Sequence, residues 1–330
     1  MADSGISDDE VVFDAPHRIR IFKSGRVERY CGSDPTPAST DAGTGTGVAS
    51  KDHAISPDVG VRLYLPPAAA KEEDAGGSSR LPVVVYFHGG GFCLLSAFNS
   101  IIHGYLNSLA ARARAIVVSV EYRLAPEHPI PAAYEDSWRA LCWVASHASG
   151  DGEEAWLTDR ADFSRLFLAG ESAGANIAHH MAMRAGAEGL PEGARINGVV
   201  LVHPYFLSDG KVASEESNPA MAENLVRMWR VVSPATATTG LDDDPWINPL
   251  ANGAPALGGL PCGRVLVCLA EEDVLRDRGH AYCEGLTASG WAGQLEVVEA
   301  PGQGHCFHLS DYTSGDAIRQ DEAIARFLNQ

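Results

Sequence analysis

The chain of 330 residues has no apolar run of about 18 residues, the length needed to cross a bilayer as a helix. Its first residues, Met-Ala-Asp-Ser-Gly-Ile-Ser-Asp-Asp-Glu, lack a basic stretch followed by an apolar one. No secretory signal is therefore expected, and the acidic residues argue against a transit peptide. Basic charge is scarce: 25 Lys and Arg stand against 43 Asp and Glu, a net charge of −18. Nucleic-acid binders and binders of anionic membranes need a basic face, so both classes are excluded. Paired cysteines are lacking as well. Cys31, Cys93, Cys142, Cys262, Cys268, Cys283 and Cys306 are odd in number and scattered, with no C-x-x-C. They read as reduced thiols, packed as small hydrophobes in a cytoplasmic protein with nuclear entry open, and not as metal ligands. Neither a P-loop nor a G-x-G-x-x-G fingerprint occurs, which leaves no nucleotide cradle. No repeat of 20–50 residues, the periods of solenoids and propellers, is visible.

What is present is an ordinary globular composition, 45% hydrophobic and 21% charged. Residues 1–16 are polar and acidic, either disordered or a cap. Residues 17–31 alternate around Lys23-Ser24-Gly25 and predict a β-hairpin. Residues 32–57 read as a long loop, 60–65 as a strand and 66–80 as a solvated connection. From residue 82 onward short runs rich in Val, Ile and Leu recur: Val83–Phe87, Ala115–Val120, Leu166–Ala169, Gly198–Val202, Val265–Leu269 and Leu295–Val298. Such runs predict strands buried on both faces. Helical stretches separate them, at Ser100–Arg114, Pro131–Ala148, Ala175–Ala185 and Val274–Ser289. The alternation implies a mostly parallel central sheet with helices on both faces, in one α/β domain spanning 1–330. Residues 1–57 would form an N-terminal cap segment. Residues 208–257, with a helix predicted over Pro219–Val232, interrupt the alternation and are either a lid or a surface excursion.

The chemistry sits at three strand ends. Gly170-Glu171-Ser172-Ala173-Gly174 follows one predicted strand and opens a helix, the context of a nucleophile elbow. A Cβ on either flanking glycine would meet neighbouring backbone, and the helix N-terminus aims free N–H groups at developing negative charge. His88-Gly89-Gly90-Gly91-Phe92 follows another strand. Its glycines let the backbone turn N–H groups toward a ligand, as in an oxyanion hole completed by the N–H of Ala173. An acid and then a histidine must follow the serine in chain order. Glu271-Glu272-Asp273-Val274-Leu275-Arg276-Asp277 offers Asp273 as the carboxylate, with Glu272 and Asp277 as rivals. Gly302-Gln303-Gly304-His305-Cys306-Phe307-His308 offers His305 as the base, with His308 as a packed neighbour.

These motifs resemble the hormone-sensitive-lipase-like α/β-hydrolases, and within them the plant carboxylesterase family that also contains the gibberellin receptors. The resemblance runs from about residue 60 to the C-terminus. Besides the two glycine motifs it rests on the run Glu121–Asp136 (EYRLAPEHPIPAAYED), on Asp273-x-Leu-Arg-Asp and on His305-x-Phe-His-Leu. It implies an α/β-hydrolase fold, a Ser172-Asp273-His305 triad and oxyanion donors at Gly90, Gly91 and Ala173. Glu171 departs from the Asp usual before the serine. A catalytic histidine is kept where the gibberellin receptors have lost it, and serine stands where some related dehydratases carry threonine. The expected activity is hydrolysis of small-molecule carboxylic esters through an acyl-enzyme, without metal or organic cofactor. A hormone receptor and a dehydratase or lyase on the same scaffold are the alternatives. Phe92, Trp229 and Leu309 are candidates for lining the substrate pocket, with core packing as the competing role. The oligomeric state is not encoded in any of these motifs.

Overall fold

In the computed structural model of the protein the described residues are 10–39, 45–67, 80–236 and 238–330. The start of the expected cap and most of the 66–80 connection lie outside them. Three short strands, β1 (Val11–Ala15), β2 (Ile19–Phe22) and β3 (Val27–Arg29), pair antiparallel in a sheet of their own. Gly25 takes a positive φ of 86° in the turn between β2 and β3, so the expected hairpin is there with one more strand beside it.

The main sheet holds the remaining strands: β4 (Ala49–Ser56), β5 (Val59–Leu65), β6 (Leu81–Phe87), β7 (Ile116–Glu121), β8 (Ala161–Glu171), β9 (Ile196–Val202), β10 (Arg264–Ala270) and β11 (Gln294–Ala300). Their spatial order is β11-β10-β9-β8-β6-β7-β5-β4. The five pairings from β7 to β11 are parallel, and β5 and β4 are added antiparallel at one edge. The chain is thus an α/β-hydrolase fold, a mostly parallel sheet with helices on both faces.

Alternate residues of each strand feed two apolar layers. Val83, Val85 and Leu168 face a core closed by the helices Ala132–Ala145, Ala173–Glu188 and Arg276–Ala288. Val84, Tyr86 and Phe167 face another closed by Ser100–Ala113 and Gly315–Asn329. Fully burying each such apolar side chain contributes about 1.5–3 kcal/mol, so the two layers hold the helices on the sheet.

Two expectations need correction. Residues 49–56 are not loop but the edge strand β4, so this part of the assumed cap belongs to the main sheet. Its sequence, ASKDHAIS, leaves one face solvated and carries no apolar run to betray it. Strand β11 is not buried on both faces: as the opposite edge it exposes Val297 by 41%. The segment 208–257 folds into two helices, Ala213–Ser217 and Pro219–Val232, followed by short helical turns.

Candidate active site

The nucleophile turn follows directly from strand and helix geometry. Strand β8 ends at Glu171 and the helix Ala173–Glu188 starts two residues later. Ser172 between them adopts φ 54° and ψ −117°, a conformation rare for a residue with a side chain. It is held from both sides: its N–H donates to Val202 O at 2.9 Å, and its carbonyl accepts from Tyr205 N at 3.0 Å. The flanking glycines are sterically required. A Cβ on Gly174 would lie 1.9 Å from Phe87 O, and one on Gly170 would lie 2.6 Å from the same oxygen.

His305 joins this serine to the acid. Its Nε2 lies 2.9 Å from Ser172 Oγ, and its Nδ1 lies 2.8 Å from Asp273 Oδ2. Asp273 is 2% exposed, and its other oxygen accepts from Leu275 N at 3.0 Å. Burial pushes the Asp273 carboxyl up, but the His305 imidazole and further donors outweigh this and hold it below the ordinary range. Burial lowers the His305 pKa in turn, while the adjoining Cys306 and Asp273 carry it well above its usual value. The rival groups are placed elsewhere. Asp277 accepts from Ser214 N at 2.8 Å and pairs with Arg276, and Glu272 is exposed. His308 is fully buried, edge-on to Tyr105, with its pKa pushed down by burial to about 3.

The glycine loop lies against the nucleophile turn. Gly90 and Gly91 both take positive φ, 95° and 60°, and Gly90 O accepts from Cys93 N and Leu94 N. Among the described residues no group accepts from the N–H of Gly90, Gly91 or Ala173. Tyr122 stacks on His88 at 4.3 Å, and its hydroxyl donates to His88 O at 2.6 Å. On the other side the Glu171 carboxylate accepts from Gly89 N at 2.6 Å and from the Tyr86 hydroxyl. Burial raises the Glu171 pKa to about 7, against the opposing pull of those two donors.

The three residues considered for the pocket separate. Phe92 and Trp229 are each 1% exposed and meet edge-on at 5.9 Å within the main core. Trp229 Nε1 also donates to Asp244 at 2.8 Å. Leu309 packs in the other layer, beside the helix Ser100–Ala113, because it follows His308 into that core. A residue of the helix Pro219–Val232 that the sequence did not single out comes closer: Met228 Cγ lies 3.4 Å from where a Cβ of Gly91 would be. Its amphipathic spacing was visible, but not which strand end the helix would cover. That segment is fastened by Ser214 to Val274 O and by Arg278 to Glu215.

His203 was also missed. It follows β9 with φ 46°, is buried, and its Nδ1 accepts from Cys306 N at 2.9 Å. Its place just past a strand C-terminus was the one available signal. A ring nitrogen of His203, one of His305 and Cys306 Sγ lie within 4.8 Å of one another, a donor set suited to a soft divalent ion. Both His305 nitrogens already lie against Ser172 and Asp273, while the buried Nε2 of His203 has no hydrogen-bond partner among the described residues.

Comparison with known proteins agrees with this fold. A family model for the alpha/beta hydrolase fold matches residues 84–309. Tuliposide A-converting enzyme 1 of Tulipa gesneriana is 45% identical over 323 residues, 97% of this chain and 79% of its own. Probable carboxylesterase 1 of Arabidopsis thaliana is 45% identical over 326 residues, 98% of this chain and 99% of its own. Among solved structures, an esterase from Mycobacterium marinum superposes with a TM-score of 0.68 at 30% identity, covering 87% of this chain and 83% of its own. These relatives overturn the cytoplasmic expectation. The Tulipa enzyme is chloroplastic, and two other relatives are designated mitochondrial and amyloplastic. The inference from acidic N-terminal residues and unpaired thiols was too coarse, since neither property is specific to the cytoplasm. The chain belongs to the α/β-hydrolase family, in its plant carboxylesterase branch, and its chemistry is the hydrolysis of carboxylic esters.

Proposed function

We propose that the hydrolysis runs through Ser172, His305 and Asp273. Ser172 Oγ attacks the ester carbonyl, and His305 Nε2 takes its proton and later gives it to the leaving alcohol. Asp273 fixes the imidazole tautomer and stabilises its charged form. Gly90, Gly91 and Ala173 donate their N–H groups to the tetrahedral oxyanion. Removing one such donor costs about 3 kcal/mol in hydrolases of this kind. Water then attacks the acyl-enzyme, with His305 as base again. The observation that carries the reading is the unbroken pair of contacts from Ser172 Oγ through His305 to Asp273, at 2.9 and 2.8 Å. The substrate class is small-molecule carboxylic esters, and the chain acts on them as a single α/β-hydrolase domain. The helix Pro219–Val232, through Met228, and the N-terminal sheet bound the mouth of the site.

The test is hydrolysis of p-nitrophenyl esters from acetate to decanoate by the wild type, Ser172→Ala and His305→Ala. Activity lost in both variants supports the triad. A wild-type rate in folded Ser172→Ala overturns it. Product analysis on the same esters separates hydrolysis from elimination, because only hydrolysis leaves an acid and an alcohol. A receptor that binds without turnover would leave Ser172 unlabelled by a fluorophosphonate.

A further inference from the structure

Glu171 occupies an expensive place. It ends β8, is 0% exposed, and lies on the same sheet face as Ala169 and Tyr86, the face covered by the helix that carries Tyr105. A buried carboxyl costs several kcal/mol unless its lone pairs are satisfied. Here both oxygens are used: Oε2 accepts from the Tyr86 hydroxyl and Oε1 from the N–H of Gly89 at 2.6 Å. Gly89 lies flat on the nucleophile turn, since a Cβ there would be 2.9 Å from Glu171 O and 3.2 Å from Ser172 Cβ. The carboxylate therefore ties the peptide immediately before Gly90 and Gly91 to the residue immediately before Ser172. From the other side the Tyr122 hydroxyl donates to His88 O, the carbonyl of that same peptide, at 2.6 Å, and lies 3.3 Å from Gly89 O.

We infer that Glu171 is a positioning residue of the reaction: through the Gly89 N–H and the Tyr86 hydroxyl it fixes the glycine loop, and with it the Gly90 and Gly91 donors, at their distance from Ser172. It touches no reacting atom. Its effect falls on the transition state, because the oxyanion exists only there while the substrate carbonyl needs the donors far less. A displacement of about an ångström in such a site costs about 10²-fold in rate. The reach of the side chain to both partners matters more than its charge. Gln at this place can accept from Gly89 with its oxygen and donate to Tyr86 with its nitrogen, whereas Met fills the volume and accepts nothing.

The inference rests on the oxyanion and nucleophile assignments above, and its test separates the two. Glu171→Met is expected to lose about 10²-fold in kcat with KM little changed. Affinity for a trifluoromethyl ketone transition-state analogue should fall in parallel. Glu171→Gln should recover most of kcat, which a role in charge alone would not allow. Tyr86→Phe, which removes one tether without adding bulk, should give a smaller loss of kcat and serves if Glu171→Met does not fold. Ser172→Ala runs beside them. If Ser172→Ala is inert while Glu171→Met and Tyr86→Phe keep the wild-type kcat, the positioning role is wrong and the nucleophile stands. If Ser172→Ala stays active, the triad reading falls and the positioning role with it.

Discussion

Arg29, in the small N-terminal sheet, grips Glu127 with both ends of its guanidinium, at 2.8 and 2.7 Å. Two further N–H groups donate to Cys93 O at 2.7 Å and Ala125 O at 3.1 Å. Cys93 lies two residues beyond Gly91, so one side chain joins the N-terminal sheet to the end of the glycine loop. The carboxylate partner is 44% exposed, which weakens the ion pair, but the two carbonyl contacts are part-buried. Arg29→Ala is expected to destabilise the fold by about 1–2 kcal/mol, mostly through those carbonyls. Glu127→Gln should cost well under half of that. Urea midpoints of the two variants decide the order.

The pH profile follows from the sign of the His305 shift. His305 acts as a base only when neutral, and its pKa lies well above the ordinary value. The limb of kcat/KM that rises with pH should therefore have its midpoint above about 6.5. Asp273→Asn removes a group that raises this pKa, so the limb should move to lower pH while the rate falls about 10⁴-fold. A limb that stays in place would mean that another group controls it.

Gly174→Ala puts a methyl 1.9 Å from Phe87 O, a backbone atom that cannot swing away. A loss of about 3 kcal/mol and of esterase activity is expected. Gly263→Ala is the control, because nothing lies within 4 Å of its Cβ position. Equal melting temperatures for the two would contradict the packing of the elbow on β6.

Met228 covers Gly91 from the helix Pro219–Val232. Met228→Ala should open that side and move the ester preference toward longer or bulkier acyl groups, with acetate hydrolysis nearly unchanged. An unaltered chain-length profile would place the acyl group elsewhere.

How much of this was legible depended on where the chemistry left a pattern. Strands β6 to β10 were readable because both faces are buried and the runs are continuous. The motifs behind the proposed elbow, glycine loop, acid and base stood out because each follows such a run. β4 was hidden, since a polar edge strand looks like loop, and β11 was given too much burial because the apolar run Leu295–Val298 does not reveal an edge position. Phe92 and Trp229 were recognisable as large apolar residues, but burial in the core against a role at the pocket is decided by packing. Glu171, His203 and Met228 were unreadable as functional neighbours because their partners, Gly89, Cys306 and Gly91, lie 82, 103 and 137 positions away, brought close only by the folded sheet.

The backbone bonds that clamp Ser172 between β9 and Tyr205 do not involve its hydroxyl. Ser172→Ala should then retain the contour of the intact enzyme while being unable to cleave what enters it. Such a protein is a fishing line for the natural ester: incubated with a metabolite extract and washed, it would hold the uncut molecule for mass spectrometry. The turn that holds Ser172 in place is also what would let its disarmed form report the substrate.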